Sequence, residues 1–283
     1  MAIDKKKMLV FLLIDGWGSS ASIENNAIRK ADVSGFKNLV ANYPATIIMP
    51  PNVKVSEGYK LLGLGKKNIK EDTANLGLSK IISRSNLSQL KIANSEDFPL
   101  ISVFLNSSEV RFLNEDWVIF DDKPDSIRSF LFRNNLNDKL IKKIKSGSYN
   151  FIVSSLSYIS KVLYSGDFAA IVSAVEEVSV YLDKIAKVVL SMGGTLVVSA
   201  TYGGAEDVFN IGTGLSNKKR SSNPVPLIVI DQKYKGRVIE SGEAPNNDIS
   251  LLSPAGDYLD IAPTILKLLG LRIPEEMEGK PLI

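Results

Sequence analysis

Residues 8–18, MLVFLLIDGWG, decide the fold class. The apolar run at 8–14 is too short to cross a membrane, and its continuous apolar character predicts a strand that is buried on both faces. The run ends at Asp15, which a Gly-Trp-Gly turn follows. Short apolar runs alternate with helical patterns along the rest of the chain. The sequence therefore predicts an α/β fold with a mostly parallel central sheet and helices on both faces.

The other elements are predicted from the same patterns. Apolar runs predict strands at 46–49, 101–106, 117–120, 151–155, 195–200 and 226–231. Residues 167–191 carry apolar side chains at spacings of three and four, which indicates a long helix capped by Asp167 or Ser165 and stopped by two glycines. Further helices are expected at about 125–145 and at 258–269.

The composition excludes several kinds of chemistry. The chain has no Cys and no His, so we expect no disulfide, no thiolate or imidazole metal ligand and no imidazole base. Any metal site would consist of oxygen ligands. With 34 basic and 31 acidic residues the formal charge is only +3, which predicts neither a nucleic-acid nor a membrane partner. We expect a cytoplasmic protein.

Ligands of parallel sheets bind beyond the carboxyl ends of the strands, so the residues after each strand are the candidates for a site. Asp15 stands at such a position beside two glycines, where a carboxylate is a good first ligand for a divalent cation. The alternative interpretation is that Asp15 caps a helix or forms an ion pair.

Six segments of the sequence are recognisable. They are LLIDGWG (12–18), QLKIANSEDFPLISVFLNSSEVRF (89–112), SGSYNFIVSSLSYISKVLYSGDFAAIVSAVEE (146–177), GGTLVVSATYGGAED (193–207), SSNPVPLIVI (221–230) and LDIAPTILKLLGLRIPEEMEGKPLI (259–283). Together they resemble the cofactor-independent phosphoglycerate mutases of the alkaline phosphatase superfamily. The resemblance implies an alkaline-phosphatase-like fold and interconversion of 2- and 3-phosphoglycerate through a phosphoserine, with two manganese or magnesium ions. It also implies that residues 1–283 form a single domain, in which the short segment 66–90 replaces the family's inserted phosphotransferase domain.

The catalytic positions of this family are mostly altered here. The nucleophile motif, similar to GNSEVGHLNIGAGR, corresponds to KVSEGYKLLGLGKK (54–67). An alignment anchored on the final glycines places Val55 at the serine, whereas a one-residue deletion recovers Ser56. The lysine of an ETEK-like segment becomes Asp97. Of the metal ligands only Asp15 is retained, and the other positions hold Ser160, Tyr164, Thr201, Tyr202, Asn217 and Arg220. We therefore expect no cofactor, with Mn or Mg only if catalysis persists.

Three hypotheses follow from these substitutions. The first is a catalytically degraded homologue that acts as a binding or interaction protein, whose partner is a phosphorylated small molecule or another protein. The second is a reduced metal-dependent mutase or phosphatase that uses Asp15 and Ser56. In the third, Arg220 and Lys60 hold a phosphorylated metabolite without chemistry, because a guanidinium binds phosphate in a bidentate manner.

The same residues leave some interpretations open. Lys54 and Lys60 flank the altered nucleophile segment, and Arg220 forms a salt bridge with Asp15 or is exposed to solvent if it does not bind an anion. Glu57, Glu206 and Asp207 offer an alternative carboxylate cluster with Asp15 for Mg²⁺. Otherwise Glu206 and Asp207 are expected to be solvated loop residues.

Overall fold

The structure is a computed structural model that describes residues 7–67, 77–106, 111–120, 135–210, 212–217, 219–239 and 242–283. Within these ranges, none of the helices combines the length and the apolar character that a bilayer crossing requires.

An eight-stranded sheet forms the centre of the described chain. Its strands are β1 (Leu9–Leu13), β2 (Ala45–Met49), β3 (Gln89–Asn94), β4 (Glu115–Phe120), β5 (Phe151–Ser155), β6 (Thr195–Ser199), β7 (Val225–Ile230) and β8 (Gly256–Asp257). They lie in the order β4-β3-β5-β1-β6-β7-β2-β8. Strand β7 runs antiparallel to β6 and β2, and the other pairs are parallel. The predicted α/β fold with a mostly parallel sheet is confirmed.

Strand β1 lies inside the sheet because all five of its side chains are apolar and buried. Its last residue, Leu13, pairs in register with Ser155 of β5 on one side and with Ser199 of β6 on the other. The three parallel strands therefore end at the same edge of the sheet. The residues that follow them, including Asp15, share the crevice beyond that edge.

Helices pack around this sheet. They are α1 (Ala27–Lys30), α2 (Ser34–Asn42), α3 (Val55–Leu64), α4 (Leu78–Arg84), α5 (Phe98–Asn106), α6 (Asn135–Lys145), α7 (Tyr158–Leu163), α8 (Phe168–Ser191) and α9 (Ile261–Leu269). The expected long helix is α8, and Asp167 caps it by accepting a hydrogen bond of 3.1 Å from the backbone N–H of Ala170. Gly193, just beyond the helix, takes the left-handed conformation with φ 71°.

One prediction in the region 89–106 is wrong, and one strand there was missed. Residues 101–106 were expected to form a strand but belong to helix α5, because a short continuous apolar run does not distinguish a buried strand from a buried helix. Pro99, in the first turn of α5, suits a helix start. Strand β3 was not predicted, since Lys91 interrupts its apolar pattern. In the fold Lys91 is fully buried and pairs with Glu115 of β4 at 2.9 Å.

Two other predictions fall partly outside the described residues. Of the helix expected at about 125–145, the structure describes α6, and residues 121–134 lie outside its ranges. In the segment 66–90 it describes α4 and the start of β3, whereas 68–76 lie outside. That residues 1–283 form a single domain without an inserted one stays a prediction.

Candidate functional site

Polar side chains from several elements meet beyond the carboxyl ends of the parallel strands. Asp15 follows β1, Ser157 follows β5 and Thr201 follows β6, whereas Asp97 stands just before α5. All four are buried or nearly so. The strand order brings them together, because β3, β5, β1 and β6 are successive neighbours in the sheet.

Asp15 is held by protein donors on both of its carboxylate oxygens. Its Oδ1 accepts hydrogen bonds from the backbone N–H of Thr201 at 2.8 Å and from the Thr201 hydroxyl at 2.6 Å. Its Oδ2 accepts a hydrogen bond from the hydroxyl of Tyr59, on α3. Burial raises the pKa of Asp15 above its ordinary value, although these hydrogen bonds act in the opposite direction. Of the interpretations left open for Arg220, the salt bridge with Asp15 is not formed in the described residues, and Arg220 is exposed to solvent.

Three buried tyrosines surround this carboxylate. Burial raises the pKa of Tyr59, Tyr202 and Tyr258, and the negative charge of Asp15 raises each of them further. All three side chains are therefore neutral hydroxyls at neutral pH. Tyr258 uses its hydroxyl to donate a hydrogen bond of 2.8 Å to the backbone carbonyl of Ala200. The hydroxyl groups supply donors to the site but no positive charge.

A second carboxylate lies on the β3 side of the crevice. Asp97 accepts a hydrogen bond from the Ser157 hydroxyl, and the ammonium of Lys161 lies 3.6 Å from the Asp97 carboxylate. The same ammonium lies 3.0 Å from Glu96. Burial raises the pKa of Asp97, and the charge of Asp97 contributes to the raised pKa of Asp15. In the sequence alignment Asp97 takes the place of the ETEK-like lysine. In the fold, Lys161 supplies a cation next to Asp97.

A cavity of about 260 Å³ opens next to Thr201 and Tyr202. Lys54 and Arg220 line it together with Ser221. The guanidinium of Arg220 lies over the ring of Tyr202, 4.3 Å from the ring centroid, in a cation–π contact. We call this space the Arg220 cavity. Two cationic side chains therefore border the Arg220 cavity. None of the described residues that line it carries a carboxylate.

The other predicted site residues are dispersed. Ser56 is exposed at the start of α3, and Lys60 is half-buried on the same helix but does not line the Arg220 cavity. Ser160 is buried and donates a hydrogen bond of 2.9 Å to the backbone carbonyl of Ser157. Tyr164 is 56% exposed. Asn217 is half-buried in the loop before Arg220, so the roles of these residues stay predictions.

Glu206 differs from the expectation of a solvated loop residue, since it is 1% exposed. Its Oε2 accepts hydrogen bonds from the backbone N–H groups of Gly18 at 3.0 Å and Gly204 at 2.7 Å. Its Oε1 accepts from the Ser221 hydroxyl and from the Asn223 side chain. One carboxylate therefore joins the loops after β1 and β6 to the segment that precedes β7.

Sequence reasoning missed Tyr59, and it named Glu206 as a possible magnesium ligand but missed its role in joining the loops. Tyr59 aligns with the histidine of the nucleophile motif when the alignment is anchored on Gly63. This alignment could have identified Tyr59 as a site residue. Glu206 lies in the GGAED segment, but nothing in that segment indicates which backbone N–H groups it reaches. That information comes from the arrangement of loops in the fold.

A family model described as the metalloenzyme superfamily matches residues 6–273. The chain belongs to this family. Curated relatives include the 2,3-bisphosphoglycerate-independent phosphoglycerate mutase of Rhodopirellula baltica, 30% identical over 80% of this chain and 40% of the relative. A second relative is phosphoglycerate mutase 2 of Methanosarcina barkeri, 33% identical over 73% of this chain and 37% of the relative. The chain thus spans about 40% of the length of these curated relatives.

Solved structures share the fold of this family member. A phosphoglycerate mutase of Leishmania mexicana, crystallised at low cobalt concentration, matches with TM-score 0.57 and 21% identity over 72% of this chain and 38% of its own. The alkaline phosphatase of the Antarctic bacterium TAB5 matches with TM-score 0.61 and 12% identity over 95% of this chain and 99% of its own. The alkaline-phosphatase-like fold is confirmed.

The expectation of no cofactor is wrong, because the chain belongs to a metalloenzyme family and a solved mutase of the same fold was crystallised with cobalt. The residues around Asp15 nevertheless do not fit a two-cation centre. The described residues contain no group of three or more His, Cys, Asp or Glu side chains that could hold a metal ion. Both oxygens of Asp15 already accept hydrogen bonds, and Thr201 and Tyr202 present neutral hydroxyls.

Proposed function

We propose that this metalloenzyme-family member is a phosphoglycerate-mutase-like protein with a degraded catalytic site, and that it binds a phosphorylated small molecule in the Arg220 cavity. The observation that carries the proposal is the pair of cationic side chains, Lys54 and Arg220, on one cavity beside Thr201 and Tyr202. This modifies the third hypothesis from the sequence, which paired Arg220 with Lys60.

The geometry of Arg220 suits anion binding. Tyr202 covers one face of the guanidinium, and the contact restricts the side chain without using its N–H groups for an ion pair. A planar guanidinium can then direct two parallel N–H groups at two phosphate oxygens. The hydroxyl of Ser221 and the ammonium of Lys54 line the same cavity and offer further donors.

The start of α3 contributes to the same wall. Lys54 is the N-cap residue of this ten-residue helix, and no side chain caps its first turn. The aligned N–H groups at a helix N-terminus carry a partial positive charge that favours an anion. The ammonium of Lys54 therefore adds a full positive charge beside the partial positive charge of the helix N-terminus. Both lie at the Arg220 cavity.

The proposal of a degraded catalytic site rests on Asp15 and α3. Asp15, the retained carboxylate of the family pattern, is bonded by Tyr59 and Thr201. Val55 stands at the aligned nucleophile position, and the neighbouring Ser56 is exposed on α3. A serine hydroxyl at its ordinary pKa needs a base or a Lewis acid to become a nucleophile. Among the described residues, Ser56 has no hydrogen-bonded base, and no group of side chains that could hold a metal ion is present.

The experiment has a binding arm and a catalytic arm. Calorimetric titration with 2-phosphoglycerate, 3-phosphoglycerate and inorganic phosphate should show binding that Arg220→Met and Lys54→Met weaken by about tenfold each. Lys60→Met is the matched control and should leave the affinity unchanged. Mutase and phosphatase assays are run with Mn²⁺, Mg²⁺ or Co²⁺ supplied and should show no turnover.

The two arms test separate parts of the proposal. Turnover that Asp15→Asn or Ser56→Ala abolishes would overturn the degraded site and favour the reduced enzyme. Absence of binding to all three ligands at millimolar concentration would overturn the Arg220 cavity as a phosphate site. If Lys60→Met weakened phosphate binding as much as Lys54→Met, the site would include the pair of Arg220 and Lys60 that the sequence predicted.

A further inference from the structure

A second cavity, of about 110 Å³, lies between α1, α2 and the segment 247–250, and it shares no lining residue with the Arg220 cavity. We call it the Trp17 cavity. Trp17 and Phe36 form part of its wall, with ring centroids 4.5 Å apart in a stacked arrangement. Ile28, Val33 and Ile249 add aliphatic surface. A flat ring can pack against this apolar wall.

Most polar groups of the Trp17 cavity already have partners. The guanidinium of Arg29 lies 2.7 Å from the carboxylate of Asp248 and donates a hydrogen bond of 2.8 Å to the Ser250 hydroxyl. The Asp248 carboxylate also accepts hydrogen bonds from the backbone N–H of Ser250 at 3.0 Å and from its hydroxyl at 2.7 Å. These interactions neutralise one positive and one negative charge, and they connect α1 to the segment 247–250.

Lys37 leaves the cavity with a net positive charge. It lies on α2 next to Phe36, lines the cavity and is exposed. Within the described chain it forms no ion pair, and its interaction with Asp32 is a longer-range one. The lining thus combines a stacked aromatic wall, a closed Arg29–Asp248 pair and one available ammonium group.

We propose that the Trp17 cavity is a binding site for a small aromatic carboxylate. The ring of the ligand packs against Ile28 and Ala31, which are the partly exposed apolar residues of the lining, where burial of apolar surface favours it. Its carboxylate faces the ammonium of Lys37, which the Arg29–Asp248 pair does not neutralise. A single negative charge on a one-ring body matches the apolar wall and the net charge of the lining. The proposal does not depend on the function of the Arg220 cavity.

Benzoate and its neutral analogue benzyl alcohol test this inference on the full chain. The readout is the indole N–H signal of Trp17 in nitrogen-15 NMR spectra, which Trp117→Phe distinguishes from the signal of the other tryptophan. Benzoate should shift the Trp17 signal at millimolar concentration and bind about tenfold more tightly than benzyl alcohol. Lys37→Met should remove that preference, whereas Lys30→Met, on α1 but outside the lining, should retain it.

A second variant tests the location. Ala31→Leu places three additional carbon atoms at the lining and should abolish binding while the circular dichroism spectrum stays unchanged. Absence of a benzoate-dependent shift of Trp17 would overturn the site. Equal affinities for benzoate and benzyl alcohol, or a preference for benzoate that survives Lys37→Met, would overturn the recognition of the carboxylate.

Discussion

The hydroxyl of Tyr59 donates a hydrogen bond to Oδ2 of Asp15, and both residues are almost completely buried. The bond connects helix α3, which begins at the aligned nucleophile position, to the end of the central strand β1. Thr201 bonds the other oxygen of the same carboxylate from the end of β6. Asp15 therefore serves as a junction between three elements.

The first prediction concerns the strength of this junction. Tyr59→Phe removes a donor to a buried carboxylate and should lower the free energy of unfolding by about 2–3 kcal/mol. Tyr258→Phe is the matched control, because this tyrosine is equally buried but donates to the neutral carbonyl of Ala200. It should cost only about 1 kcal/mol. Urea unfolding measures the free energy of unfolding of both variants. A smaller loss of stability for Tyr59→Phe than for Tyr258→Phe would contradict the role of the hydrogen bond to Asp15.

The second prediction uses the pH dependence of Asp15. Burial raises the pKa of Asp15 in the folded protein above its ordinary value of 3.8, so the folded state retains the proton over a pH interval in which the unfolded state has lost it. The contribution of Asp15 to stability is then fully present below pH 3.8 and is lost as the pH rises through the folded pKa. Asp15→Asn does not titrate and lacks this change.

The measurement is the difference in free energy of unfolding between the wild-type chain and Asp15→Asn over a pH series. Since Asp97 also has a raised pKa and is present in both proteins, its contribution cancels to first order. The wild-type chain should lose stability relative to the variant as the pH rises above 3.8. A constant difference would show that the hydrogen bonds balance burial, and a difference that increases with pH would show that they outweigh it.

The third prediction concerns Glu206. Glu206→Gln replaces one carboxylate oxygen, which accepts from two of the four donors, by an NH2 group that cannot accept, and it should lower the free energy of unfolding by about 3 kcal/mol. Because Ser221 and Arg220 are adjacent in the chain, the variant should also weaken phosphate binding in the Arg220 cavity. Glu57→Gln, on the exposed side of α3, is the control. Equal stabilities of the two variants would contradict the structural role of Glu206.

The fold was largely predictable because most strands are continuous apolar runs. β1 and β6 are short runs that are buried on both faces, the same pattern that was misread as a strand at 101–106, and α8 shows its helical spacing over 24 residues. β3 was missed because Lys91 is a charged residue in a strand core, and its partner Glu115 lies 24 positions away in the chain. A single sequence does not reveal such a pair.

The candidate site was predictable in part. Asp15 was identified because a strand end next to glycines is a recognisable pattern, and the fold places it in the expected crevice. Which groups bond Asp15 was not predictable, since Tyr59 and Thr201 come from distant segments that only the sheet order brings together. The sequence predicted Lys60 as the partner of Arg220, but the fold places Lys54 in the lining of the Arg220 cavity. Which of the two lysines lines the cavity depends on which side of α3 faces the segment 50–54.

The last prediction concerns the ion pair of Lys91 with Glu115. Both side chains are fully buried at a separation of 2.9 Å, and the indole N–H of Trp117 also donates to Glu115. Lys91→Met leaves the carboxylate without its ammonium partner and should lower the free energy of unfolding by about 3–5 kcal/mol. The double variant Lys91→Met with Glu115→Leu removes both charges and should recover most of this loss.

The pH dependence of the same pair gives an independent check. Burial lowers the pKa of Lys91 from 10.5 to about 8, although the charge of Glu115 acts in the opposite direction. Between these pH values the unfolded state binds more protons than the folded state, so the stability of the wild-type chain relative to Lys91→Met should increase as the pH rises. Urea unfolding at a series of pH values measures this slope. The absence of an increase over that interval would mean that Glu115 stabilises the ammonium at least as much as burial disfavours it.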